Sequence, residues 1–267
     1  MNTKRSLFFT IIALAFAFAH AFAQMDTTFD SFMKDDDDDY GSSLRVKLGG
    51  AGGFTPYYLK IETKELNRFL AVGNDGALSS NRMLLYGGEG YGYIMFLKNF
   101  RIGGLGASGT MQTSRIQSTT SGNIYRETKV DIGMGGFKMG YVLPVTKKFD
   151  IAYDVMLGGG TMGITINRSR SSEWVWDSLF THYGDENFAG DEYTQRLSGS
   201  FWTYNASVNI EYALLHWVGL RLGIGYTGMI GGEWQLDEKF KIHNVPSKIN
   251  GSGMTINFGV FAGFFGE

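Results

Sequence analysis

From Val218 to Ile230 the chain alternates strictly: Val218, Leu220, Leu222, Ile224 and Tyr226 take one parity, and Gly219, Arg221, Gly223, Gly225 and Thr227 the other. A period of two residues with unlike faces is that of a β-strand. The same alternation sets Phe149, Ile151, Tyr153, Val155 and Leu157 against Asp150, Ala152, Asp154, Met156 and Gly158. It sets Ala206, Val208, Ile210, Tyr212 and Leu214 against Ser207, Asn209, Glu211 and Ala213. A last strand opposes Met254, Ile256, Phe258, Val260, Ala262 and Phe264 to Thr255, Asn257, Gly259, Phe261 and Gly263, and a first opposes Leu44, Val46 and Leu48 to Arg45 and Lys47. Glycine-dense stretches near Tyr86 to Leu97 and Phe100 to Met111, with one from Lys129 to Leu143, complete a set of eight. Short breaks at Lys98-Asn99, Thr146–Lys148 and His216-Trp217 alternate with much longer polar segments. Short turns at one rim and long loops at the other describe a closed barrel that crosses a membrane. The pattern therefore predicts an all-β chain: an eight-stranded antiparallel up-and-down transmembrane β-barrel over residues 43–265, its apolar parity against lipid.

The other parity carries charge. The stretch from Lys129 to Leu143 breaks the rule, since Asp131 and Lys138 cannot both point inward on a regular repeat, and a bulge at Gly135-Gly136 is expected to restore it. The inward charges are then Arg45, Lys47, Arg101, Lys138 and Arg221 against Glu89, Asp131, Asp150, Asp154 and Glu211, five of each sign. Eight strands enclose a space that side chains just fill. A balanced set of charges there reads as salt bridges holding the barrel shut, with a proton or small-ion path as the alternative.

The N-terminus sets the compartment. Lys4 and Arg5 precede an apolar run from Leu7 to Phe18, and Ala21-Phe22-Ala23 forms a small-residue cleavage site, so residues 1–23 are expected to be a signal peptide. No later run approaches the ~18 apolar residues of a spanning helix. Residues 24–42 read as an acidic periplasmic linker whose run Asp35 to Asp39 stays solvated, with divalent-cation capture or docking of a basic partner as alternatives. Zero cysteines exclude a disulfide framework, and a net charge of −2 gives no case for nucleic acid. The 38 glycines are about twice the usual ~7% share and are expected where strands bend or where a bulky neighbour fills the interior.

The long connections hold the candidate chemistry. Ile61 to Val72 reads as a helix with Leu66, Phe69 and Leu70 on one side, ended by Asn74, Asp75 and Gly76, and is expected to cap the barrel mouth. The third loop, roughly Asn167 to Gly199, carries Trp174, Trp176, Phe180, Tyr183, Phe188 and Tyr193 among many charges. Those aromatics suit either contact with a partner or self-packing over the mouth. Trp202 and Trp234 fit an interfacial girdle. For catalysis, His182 with Asp185 and Glu186 is the only cluster to weigh, and solvated loop residues is the preferred reading. No metal-ligand spacing appears, the clusters Gly103-Gly104 and Gly158 to Gly160 lack the features of phosphate loops, and no cofactor is expected.

The signal, the alternating strands, the three short turns and an aromatic end at Phe258, Phe261, Phe264 and Phe265 together resemble the small outer-membrane β-barrel class represented by OmpX and the membrane domain of OmpA. The resemblance spans residues 43–265 and is one of architecture. It implies a bacterial outer-membrane location with both termini periplasmic, outer-membrane lipids around the wall, and a last strand read by the barrel-assembly machinery. Gly266 and Glu267 depart from that class by following the aromatic residue. The expected function is a closed barrel displaying loops for envelope structure or for a surface or envelope protein partner, rather than an enzyme. A minor channel for small solutes or apolar molecules is the alternative, and a lipid- or peptide-modifying enzyme a third reading.

Overall fold

The structure, a computed structural model, describes residues 48–73, 77–78, 80–94, 96–120, 122–169 and 193–266. The expected signal peptide, the acidic linker, Arg45, Lys47, the end signal at 74–76 and the aromatic residues from Trp174 to Phe188 lie outside the described residues.

In chain order the elements are β1 (Leu48–Phe54), β2 (Tyr57–Ile61), α1 (Lys64–Gly73), β3 (Arg82–Tyr93), β4 (Phe100–Thr119), β5 (Gly122–Pro144), β6 (Phe149–Ser169), β7 (Tyr193–Ala213), β8 (Val218–Leu236), β9 (Phe240–Ile242) and β10 (Gly253–Gly266). β1 and β2 are one barrel strand. Pro56 brings no N–H to the ladder, yet the register on β10 runs unshifted from Phe54↔Val260 to Tyr57↔Asn257. β9 only doubles back on β8 at its far end. The remaining strands pair antiparallel in sequence from β3 to β8, β8 pairs with β10, and β10 with β1, which closes a ring of eight. Short turns join β3 to β4, β5 to β6 and β7 to β8; Asn99 takes φ 57 in the first, a left-handed geometry that asparagine tolerates.

The strands are longer than the alternation suggested. β4 and β5 have 20 and 23 residues, against about 9–11 for a tilted bilayer crossing. The excess lies at the long-loop end, and there the wall changes sides. Near the short turns the outer face is apolar: Ile102, Phe137, Val208, Ile210, Leu222, Ile224, Ile256 and Phe258 are all exposed. Further along, the outward positions become Thr110, Gln112, Glu127, Lys129, Thr165 and Asn167, while Val130, Ile132, Met162, Ile164, Ile166 and Met229 are buried inside. The far part of the barrel thus has the polar-out, apolar-in section of a soluble protein, and α1 tucks Leu66 and Leu70 against the same core.

Four expectations are corrected by this arrangement. β5 keeps an unbroken register on both neighbours through Gly135 and Gly136, so no bulge forms there; Lys138 is inward and Asp131 outward. Asp131 sits above the apolar belt, accepts a hydrogen bond from Thr110 at 2.6 Å, and lies 3.4 Å from the Lys129 ammonium. Trp234 is not a girdle residue: it is buried and packs edge-on against Phe201, at 5.8 Å between centroids, whereas Trp202 points outward. The helix begins at Lys64, because Ile61 is still paired in β2, and Phe69 is exposed instead of sharing the buried side of Leu66 and Leu70. Many glycines face lipid and not the lumen: Gly88, Gly106, Gly135 and Gly159 are direct register partners on the outer wall.

Candidate functional site: a ring of six charges across the lumen

Inside the barrel, toward the short-turn rim, six ionisable side chains from six strands close into a ring of alternating sign. Lys138 of β5 donates to Glu89 of β3 at 2.8 Å and lies 3.2 Å from Asp154 of β6. Asp154 accepts from Arg101 of β4 at 2.8 Å, and the same guanidinium reaches Glu211 of β7 at 2.8 Å. Glu211 in turn accepts from Arg221 of β8 through Nε at 2.8 Å, and Arg221 returns to Glu89. Each carboxylate therefore touches two cations and each cation two carboxylates. Five of the six side chains are at most 6% exposed and Glu211 is 12% exposed. Charges so buried are tolerable only when paired and hydrogen-bonded.

Neutral groups complete the layer. Tyr57 donates its phenol hydrogen to Glu89 at 3.2 Å, Asn209 donates to Asp154 at 2.7 Å, and Asn257 donates to Asn209 at 3.0 Å. Arg101 lies 4.4 Å from the ring centroid of Tyr91, and Arg221 fits between Tyr91 and Phe261. A guanidinium over an aromatic face gains further electrostatic attraction where water is excluded. Two glycines make room for this: a Cβ at Gly140 would collide with the Asp154 carboxylate, and one at Gly223 with the Asn209 amide oxygen. Beyond the charged layer, Asn205 bridges to Thr227 at 2.9 Å and Thr255 at 3.4 Å, and the apolar interior starts at Met134.

Of the ten inward charges expected from sequence, the structure gathers Glu89, Arg101, Lys138, Asp154, Glu211 and Arg221. Asp150 is inward and buried, opposite Glu211 in the register, but outside the ring. Asp131 faces outward, and Arg45 and Lys47 lie outside the described residues. The four phenylalanines of the expected assembly signal part company. Phe258 faces outward, Phe261 is buried against Tyr91, and Phe264 and Phe265 pair through their backbones with Gly50 and Gly49. The parity of the last strand already put Asn257 and Phe261 inside; what it could not show is that they meet Asn209 and Arg221. Tyr57 was missed because Pro56 interrupts its strand.

Each residue named in this layer is engaged by at least one other across the lumen. Among the described residues no cluster of three metal-ligating side chains exists. The set His182, Asp185 and Glu186 lies outside the described residues. No protein-family model matches the chain, and no curated protein matches it in sequence.

The chain is similar to several solved structures at low identity and low TM-score. Ail, the attachment invasion locus protein of Yersinia pestis, solved with the heparin analogue sucrose octasulfate, is 10% identical over 84% of this chain and 100% of its own, with a TM-score of 0.37. A major outer membrane protein from Thermus thermophilus is 7% identical over 80% of this chain and 99% of its own, with a TM-score of 0.39. The outer membrane protease OmpT of Escherichia coli is 11% identical over 84% and 98%, with a TM-score of 0.28.

Proposed function

We propose that this chain is an outer-membrane β-barrel with a sealed lumen that acts through the part standing outside the bilayer, in envelope structure or by binding a surface or envelope protein partner. Residues 1–23 serve as its export signal, residues 24–42 remain periplasmic with the short turns, and the barrel-assembly machinery receives the last strand. Outer-membrane lipids cover the apolar belt. The observation that carries the reading is the ring Glu89, Lys138, Asp154, Arg101, Glu211 and Arg221, which spans the lumen with buried, mutually neutralising charges. An ion crossing this layer would have to displace a guanidinium from two carboxylates at once, and then pass the apolar layer of Ile132, Met134 and Met162. Two successive seals of opposite chemistry suit a plug. No bound group or catalytic geometry is needed for this role.

Planar-bilayer recording tests it. The purified wild-type barrel is expected to be electrically silent, and Glu211→Gln to be less stable and slightly leaky. Reproducible wild-type conductance whose ion preference changes in Glu211→Gln, with stability unaltered, would put the minor-channel reading first.

A further inference from the structure

On the outer wall, just above the apolar belt, two cations stand face to face. Lys60 of β2 is the direct register partner of Arg82 of β3, and both are exposed. Their sequence neighbours Leu59, Ile61 and Met83 are buried inward, so both side chains leave the barrel on its outer side. Directly opposed residues hold their Cβ atoms about 5 Å apart, and like charges so placed repel. Among the described residues neither cation has an ion pair. Glu62, the next outward residue after Lys60, lies 3.9 Å from Lys248, and the Asp131 carboxylate further round the wall lies 3.4 Å from Lys129.

Beneath the pair the wall is apolar. One step toward the short turns, Tyr58 and Leu84 form the next outward pair and are exposed. Met254 of β10 lies opposite Lys60, and Tyr226 of β8 opposite Met254, both exposed on the same outer side. Two positive ends thus stand at the upper edge of an apolar surface. We infer that Lys60 and Arg82 form a binding site for the phosphate of an anionic membrane lipid in the leaflet next to the long loops, its acyl chains lying on Tyr58, Leu84 and Met254. The planar fork of Arg82 matches two phosphate oxygens, and the Lys60 ammonium adds a point charge beside it. Both side chains carry apolar stems that can run along the wall while their charged ends stay at headgroup level. One phosphate between them turns a repulsion into two attractions. The wall selects the source: a soluble phosphate leaves Tyr58, Leu84 and Met254 uncovered, whereas a lipid covers them and brings its phosphate to the level of the pair.

The inference rests on the proposed covering of the apolar belt by lipid, but its test does not depend on the lumen being closed. The full chain in dodecyl maltoside micelles is titrated with dihexanoyl phosphatidic acid, with dihexanoyl phosphatidylcholine and with glycerol phosphate, and binding is followed by calorimetry. Saturable binding of the phosphatidic acid is expected, about tenfold tighter than that of the other two, and about tenfold weaker in Lys60→Gln and in Arg82→Gln. Both positions are exposed and each change removes a like-charge contact; either variant alone carries the test if the other fails to fold. Lys129→Gln, which removes an outward cation already facing Asp131, should bind as wild type does. Unaltered binding in the Lys60 and Arg82 variants, or no saturable binding by wild type, overturns the site. An equal loss in Lys129→Gln overturns it too, since the general charge of the wall would then suffice. Glycerol phosphate bound as tightly as the phosphatidic acid overturns the lipid source, and phosphatidylcholine bound as tightly overturns the choice of an anionic lipid. None of these results alters the bilayer recordings, so the two readings stand or fall separately.

Discussion

The guanidinium carbon of Arg221 lies 4.1 Å from the centroid of the Phe261 ring. This contact ties the last strand to its neighbour through the lumen as well as through the ladder. It predicts that Phe261→Leu, which keeps apolar bulk but loses the aromatic face, destabilises the barrel by about 1–2 kcal/mol. Phe258→Leu, on the lipid side of the same strand, should stay within about 0.5 kcal/mol. Urea unfolding midpoints in lipid vesicles measure both. Equal effects at the two positions would mean that the Phe261 contact contributes nothing beyond its bulk.

The two aspartates that sequence placed together should behave differently. Asp154→Asn leaves Arg101 and Lys138 short of a partner in a closed space, at a cost of about 3–5 kcal/mol for a fully buried group. Asp131→Asn alters a solvated outer-face residue and should change stability by about 0.5 kcal/mol or less. A large effect of Asp131→Asn, read from the same unfolding curves, would revive the inward placement and the bulge.

Glycines on the two faces should respond with opposite sign. A Cβ at the inward Gly136 would run into the carbonyl oxygen of Leu157, so Gly136→Ala must shift backbone and lower stability. A Cβ at the outward Gly106 meets nothing within 4 Å. Gly106→Ala therefore removes only the conformational freedom of glycine in a strand and should stabilise by about 0.5–1 kcal/mol. Heat-induced loss of the folded band on gels ranks the pair.

Orientation is open to direct labelling, because the chain has no cysteine. In intact cells an impermeant thiol reagent should modify Thr120→Cys, at the tip of the β4–β5 hairpin, and spare Lys147→Cys in the turn between β5 and β6. The reverse result would invert the barrel.

Much of the ring was legible because parity is a local property. Glu89, Arg101, Asp154, Glu211 and Arg221 each lie on strands whose alternation assigns a face without knowledge of any neighbour. What parity cannot give is register, and so which carboxylate meets which cation was not readable. Asp131 shows a second limit. A strand lying wholly in lipid would have to turn the charge inward; this 23-residue strand outruns the apolar belt, and above it an outward charge stays solvated. Trp234 was misplaced for the same reason, since beyond the belt a large aromatic belongs inside. Phe69 reflects the narrower error of drawing a helix face three residues wide where only Leu66 and Leu70 meet the core.

The level at which the wall changes sides acts as a depth gauge. On β4 it falls between Gly106 and Gln112, on β5 between Gly135 and Lys129, and on β6 between Gly159 and Thr165, which are register partners across the three strands. A thicker membrane cannot be met by sinking, since Thr110, Asp131 and Lys129 would enter hydrocarbon while apolar residues on the inner side gained nothing. The surrounding lipids must compress instead, at a cost of fractions of a kcal/mol per Å. Membrane thickness, rather than the loops, then decides where in an envelope this barrel is most at rest.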